Sequence, residues 1–179
     1  MCIRDRCWER EALDIISGHY QSGEKIPDDL LAKAQAARNF QSAMQMVRQL
    51  EFSIFDMRIH NESREGKTAD VQAVLAVVRE KVSVVPSPSF NRFQNGFSHI
   101  FAGGYAAGYF SYKWAEVLSA DAFAKFEEDG IFNAETGRSF MENILEKGGT
   151  DEAMILFENF RGRKPEIEAL LRHTGLMAA

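Results

Sequence analysis

Residues 39–61 read NFQSAMQMVRQLEFSIFDMRIHN, and within them Phe40, Ala43, Met44, Val47, Leu50, Ile54 and Phe55 recur at steps of three and four. That is the period of one helix face, so the stretch predicts a long amphipathic helix packed along this stripe. Phe52 and Met57 extend burial to a second side, whereas Arg48, Glu51 and Arg58 occupy other angles and can stay in water.

The same period continues on the C-terminal side. Val71, Val74, Leu75 and Val78 predict a second helix over 68–82, with Thr68 as N-cap ahead of Asp70. Pro86 and Pro88 then force a turn over 84–91, because each pushes its predecessor out of helical geometry and cannot donate a backbone hydrogen bond. A long helix is expected from Gly104 to Glu128, with Trp114, Val117, Leu118, Ala122 and Phe126 as its core side, stopped by Asp129-Gly130. Shorter helices follow over 133–146, over 150–160, and from Pro165 through Ile167, Leu170 and Leu171. The fold class is all-α, and no fixed-period repeat points to a solenoid.

Composition narrows the function. Twenty-one Lys and Arg against 26 Asp and Glu leave a net charge of -5 over 179 residues, ordinary globular chemistry without the basic block that a phosphate backbone requires. Nucleic acid is therefore not an expected partner. Residues 93–112 carry no formal charge, yet Gln94, Asn95, Ser98, His99 and three tyrosines make them too polar for a lipid-facing helix, so no membrane association is expected. Cys2 and Cys7 could close only a tiny loop, which suits a reducing compartment, and no secretory apolar segment stands at the start. The cytoplasm is the expected location.

Several motif-like runs fail on context. Gly66-Lys67-Thr68 resembles the end of a phosphate-binding loop, but the first glycine would fall at Asn61 and no strand precedes it. Gly103-Gly104-Tyr105-Ala106-Ala107-Gly108 lacks dinucleotide-loop spacing. The four histidines are dispersed, none in H-E-x-x-H, so no metal ligand set is visible; His60 reads as an ordinary helix C-terminal cation or cap rather than a ligand, and His19 and His173 read the same way.

His99 stands apart because Tyr105, Tyr109 and Tyr112 follow it at i, i+4, i+7 spacing. On a helix these rings share a face and their phenols converge. A neutral phenol, with a pKa of about 10, can donate to a peptide carbonyl or a developing oxyanion. An aromatic stripe at this spacing also reads as plain core. Gly103 and Gly104 immediately ahead favour the site reading, since they free the backbone and allow close approach of a ligand.

Three stretches carry a resemblance: Cys7-Trp8-Glu9-Arg10-Glu11-Ala12-Leu13, Val85-Pro86-Ser87-Pro88-Ser89-Phe90-Asn91-Arg92-Phe93, and the run from Phe97 through the glycine-tyrosine segment to Glu116. Phe160-Arg161-Gly162-Arg163 and Leu170-Leu171-Arg172-His173 add to it. Over Cys7 to about Leu176 the chain resembles the C-terminal portion of the thimet oligopeptidase family of zinc metallopeptidases. The resemblance implies the helical C-terminal part of a zincin-like, two-lobed catalytic domain that hydrolyses internal bonds of short peptides with a zinc-bound water. It implies that the zinc ligands and H-E-x-x-H lie upstream of this chain, in a missing N-terminal part of the same protein, and that this chain alone is inactive. It assigns His99 and Tyr105 to peptide contact and catalysis, Tyr112 to a hydrogen bond with the tetrahedral intermediate, and Gly103, Gly104 and Tyr109 to substrate binding. Phe110 stands where relatives often carry a further tyrosine. Residues 1–6 do not fit the resemblance and read as a foreign or misjoined leader ahead of one catalytic portion, 7–179, with its proline turn at 84–91 and glycine-tyrosine loop at 99–112. A noncatalytic helical binding or scaffold module is the alternative, because no complete active site is visible in these residues.

Overall fold

The structure, a computed structural model, describes residues 2–63 and 68–177. Gly66 and Lys67 of the Gly-Lys-Thr run, and Met1 of the proposed leader, lie outside the described residues. Ten α-helices occur among those described, with no strand: α1 Cys2–Arg6, α2 Arg10–Ile16, α3 Asp28–Arg38, α4 Ser42–Glu62, α5 Val71–Val82, α6 Ser98–Phe101, α7 Ser111–Asp129, α8 Ala134–Phe140, α9 Ala153–Arg161 and α10 Glu168–His173. The all-α expectation holds. No helix among the described residues is long and apolar enough to cross a membrane.

The chain divides into two compact units, one formed by residues 41–114 and the other by 1–40 with 115–179. In the first, α4 packs on α5. Phe55, Ile59, Val74, Leu75, Val78 and Ile100 are buried together, with Phe93, Phe97 and Tyr109 packed against them. Burying side chains such as Phe55 and Leu75 contributes about 1.5–3 kcal/mol each. α5 is capped not by Thr68 but by Asp70, whose Oδ1 accepts from the Ala73 amide at 3.0 Å.

The predicted face of α4 is not the one buried here. Phe55 is inside, but Phe40, Ala43, Met44, Leu50 and Ile54 are exposed, and so is Met57. Glu51, expected in water, is 2% exposed. The reason is the partner: Arg79 of α5 brings Nε to 3.0 Å from Glu51 Oε1, and Arg48 reaches the same oxygen at 2.9 Å, so the carboxylate enters with its counter-ions.

In the second unit Ala122, Phe123 and Phe126 of α7 meet Phe157 and Phe160 of α9 and Ile131. Phe140 and Phe160 pack edge to face at 5.1 Å. Asp121 is fully buried between Arg161 and Arg163, and Glu127 accepts from Arg172 and faces His173 Nε2 at 3.0 Å. His173 stands in the last turn of α10, where a helix C-terminal cation or cap belongs, and there also meets the Glu127 carboxylate. The expected 133–146 helix becomes α8 followed by a π turn at Met141–Leu145, the 150–160 helix starts only at Ala153, and Pro165 stands three residues ahead of α10. Helices α1, α2, α3 and α6 carry no strong apolar period and were not expected from the sequence.

Candidate functional site

α6 and the start of α7 bracket the glycine-tyrosine segment. The expected helix from Gly104 is absent: Gly104 has φ +80° and Ala107 φ +54°, both in the left-handed region, so residues 103–110 turn and α7 begins only at Ser111. Gly103 sits so close to α6 that an added Cβ would lie 2.8 Å from His99 Cα and 2.9 Å from its carbonyl oxygen. Any side chain there would collide with backbone. The Gly103 amide caps α6 by donating to Ser98 O at 2.8 Å, and the Tyr105 amide donates to His99 O at 3.2 Å.

The turns still bring the predicted rings together. Tyr105 stacks on Tyr112 with centroids 5.1 Å apart, Tyr109 meets Tyr112 at 5.2 Å, and His99 lies 6.1 Å from Tyr105 and 6.3 Å from Tyr109. The convergence comes from a loop folded back on a helix start, not from one helix face. His99 and Tyr112 are exposed, and Phe101, Phe110 and Trp114 add apolar surface.

The phenols differ in their chemistry. Tyr112 shares a hydrogen bond with Tyr105, which, with local desolvation, pushes its pKa above the ordinary value near 10. It is therefore a neutral donor throughout the neutral range. Tyr109, half-buried, is also pushed up by burial, although the Arg48 charge opposes this. Its hydroxyl donates to Gln49 Oε1 at 3.1 Å and faces α4. Three convergent donors were expected; Tyr105 and Tyr112 form a pair, while the Tyr109 hydroxyl is engaged with the scaffold.

Beneath the loop lies an aromatic layer. Phe52 contacts Phe93, Phe97 and Tyr109 with centroids 5.3, 5.0 and 5.8 Å apart. The Arg48 guanidinium covers Phe52 at 4.4 Å, and Arg79 Nη2 donates to Asn91 Oδ1 at 3.3 Å, tying the end of the proline turn to α5.

Sequence reasoning missed Asp56, which is 0% exposed and stands on α4 beneath the loop. Its Oδ1 accepts from the Ala107 amide and its Oδ2 from the Tyr109 amide, both at 2.9 Å. His60, expected to be a terminal cation or cap, places Nδ1 2.8 Å from Asp56 Oδ1. The available signal was a carboxylate on the stripe of Phe52 and Ile59, a position that only a fully hydrogen-bonded acid tolerates.

Among the described residues no three His, Cys, Asp or Glu come together as a metal site. The groups present donate hydrogen bonds and offer aromatic surface, which suits gripping a peptide and steadying an oxyanion on its carbonyl.

The model of peptidase family M3 matches residues 4–176. Oligopeptidase A of Escherichia coli (strain K12) is 58% identical over 170 residues, covering 95% of this chain and 25% of that protein. The probable cytosolic oligopeptidase A of Arabidopsis thaliana is 46% identical, covering 97% of this chain and 25% of its own. The organellar oligopeptidase A, chloroplastic/mitochondrial, of the same plant is 45% identical, with 97% and 22% covered. The chain thus spans about a quarter of the length of the curated relatives it matches.

Proposed function

The chain belongs to peptidase family M3, and from that membership we propose that it is the substrate-gripping portion of a zinc-dependent oligopeptidase that cuts internal bonds of short peptides. The observation that carries this reading is the exposed Tyr112, its ring stacked at 5.1 Å on Tyr105, which itself lies 6.1 Å from His99 behind Gly103-Gly104.

In this proposal the glycine loop lets the peptide backbone approach, and His99 and Tyr105 contact it. The Tyr112 hydroxyl turns from Tyr105 to donate to the carbonyl oxygen as that oxygen gains charge, an interaction stronger in the transition state than in the substrate. The donor keeps its own proton throughout; it stabilises charge and transfers nothing. Tyr109 contributes its ring and its backbone, since its hydroxyl serves Gln49.

The described residues do not suit the zinc of the family reading, because they bring no ligand set together. We assign the ligands to a further part of a longer protein, in keeping with the match of this chain to about a quarter of the Escherichia coli oligopeptidase A. That part is also proposed to cover the exposed apolar residues Met44, Leu50, Ile54 and Met57 of α4. On this reading the chain by itself does not turn over peptide. The proposed compartment is the cytosol, which one Arabidopsis relative is named for; the other is named for organelles, and fractionation of the source cells decides between them.

Replacing Tyr112 by Phe in the full-length protein tests the assignment. Loss of an oxyanion donor costs about 3 kcal/mol, so kcat on a fluorogenic short peptide should fall about 100-fold with KM nearly constant. An unchanged kcat removes Tyr112 from its role.

A further inference from the structure

We propose that Asp56 is a positioning residue for the reaction, holding the 102–110 loop in the conformation that presents Tyr105 and Tyr112; the proposal rests on the peptidase reading above. A carboxylate fully buried in the middle of a helix is unfavourable unless its oxygens are satisfied. Here both are satisfied by the loop: Oδ1 by the Ala107 amide and Oδ2 by the Tyr109 amide, each at 2.9 Å, with His60 Nδ1 2.8 Å from Oδ1.

The two anchored amides lie between the two catalytic phenols. The Gly108 amide donates to Tyr105 O at 2.8 Å and the Tyr112 amide to Tyr109 O at 3.3 Å, so the bonded turns run from one tyrosine through the anchor to the other. Ala107 occupies the left-handed region at φ +54°, a conformation that a residue with a Cβ does not choose unaided. Two charge-assisted hydrogen bonds offset that strain. The loop is thus held from beneath by a group that never meets the peptide.

Asp56→Asn keeps the size but turns one acceptor into a donor facing a backbone amide. In the full-length protein it should lower kcat about tenfold or more while KM changes less than about threefold, the pattern of a lost transition-state contact. In a Tyr112→Phe background the same substitution should lower kcat by a clearly smaller factor than in the wild type, because one of the two groups it positions is already gone. Hydrogen exchange of the amides in 102–110 should accelerate at least about tenfold, with residues 115–179 unchanged.

Wild-type kcat and exchange in Asp56→Asn, or equal losses in both backgrounds, would overturn the proposal. Should Asp56→Asn unfold the protein, Ala107→Pro supplies the same test from the loop side, removing one donor and the left-handed turn without touching α4. A kcat loss larger with Tyr112 present than in the Tyr112→Phe background is then expected, and no loss overturns the assignment. A wild-type protein that cleaves no peptide sinks the functional reading instead, and the exchange comparison alone then decides the anchor: acceleration confined to the loop supports it, and unchanged exchange overturns it.

Discussion

The tyrosine rings meet without the helix face from which their spacing predicted it, through a folded-back loop, and Gly103 shows why the adjoining residue is fixed. A Cβ at Gly103 would stand 2.8 Å from backbone, where no flexible side chain can yield. Gly103→Ala should therefore displace the loop and lower kcat of the full-length protein at least tenfold, and wild-type kcat would show that the loop tolerates the shift. Tyr112 yields a pH expectation. Its raised pKa means the neutral donor is lost only above about pH 10, so kcat should show no alkaline fall from this group below that pH. A fall near pH 8 that disappears in Tyr112→Phe would contradict it. Asp56 was illegible for a physical reason: periodicity records which residues are apolar, and a buried acid becomes intelligible only once the two amides that satisfy it, 51 and 53 residues away, are in place.

Helices with strong apolar period were legible, and their ends were less so. α5 appears where the Val71, Val74, Leu75, Val78 stripe put it, although its cap is Asp70 and not Thr68. Leu75, 0% exposed in that stripe, should cost about 2–5 kcal/mol when cut to Ala, measured by denaturant unfolding of the full-length protein. A loss under 0.5 kcal/mol, on the order of a surface change, would mean α5 does not pack on α4 as described. Of the α4 stripe only part is buried within this chain, Phe55 inside and Met44, Leu50 and Ile54 exposed, because the stripe is wider than the side α5 covers. The helix expected from Gly104 failed because two left-handed residues outweigh the spacing of the tyrosines. Between α7 and α10, burial alone would raise the Glu127 pKa, but hydrogen bonds from His173 and Arg172 hold it down at about 2. Because this lies below the ordinary value of 4.5, the stabilisation is complete above pH 4.5 and is lost as pH falls towards 2. It amounts to at most about 3 kcal/mol. Glu127→Gln should be less stable than wild type at pH 7 and flatter in its acid dependence, and an identical acid profile would refute the pairing.

At the scale of the molecule, the chain is proposed to carry one part of a function, and it matches about a quarter of its curated relatives' length. Its residues assemble a donor pair, an aromatic layer and a glycine turn, yet its described residues gather no metal ligands, and apolar side chains of α4 are exposed. The isolated chain should therefore self-associate, seen as concentration-dependent species in sedimentation, and a sharp monomer at all concentrations would contradict the proposed covering of α4. The family was legible because the glycine-tyrosine segment is a dense run of chemically specific residues, while the proposed zinc rests on that resemblance alone, because the described residues bring no ligand set together. The most direct test is the turnover of a fluorogenic short peptide by the full-length protein before zinc removal, after it, and after zinc is restored. The account predicts cleavage that disappears with the metal and returns with it; no cleavage at all, or cleavage indifferent to zinc, would contradict it.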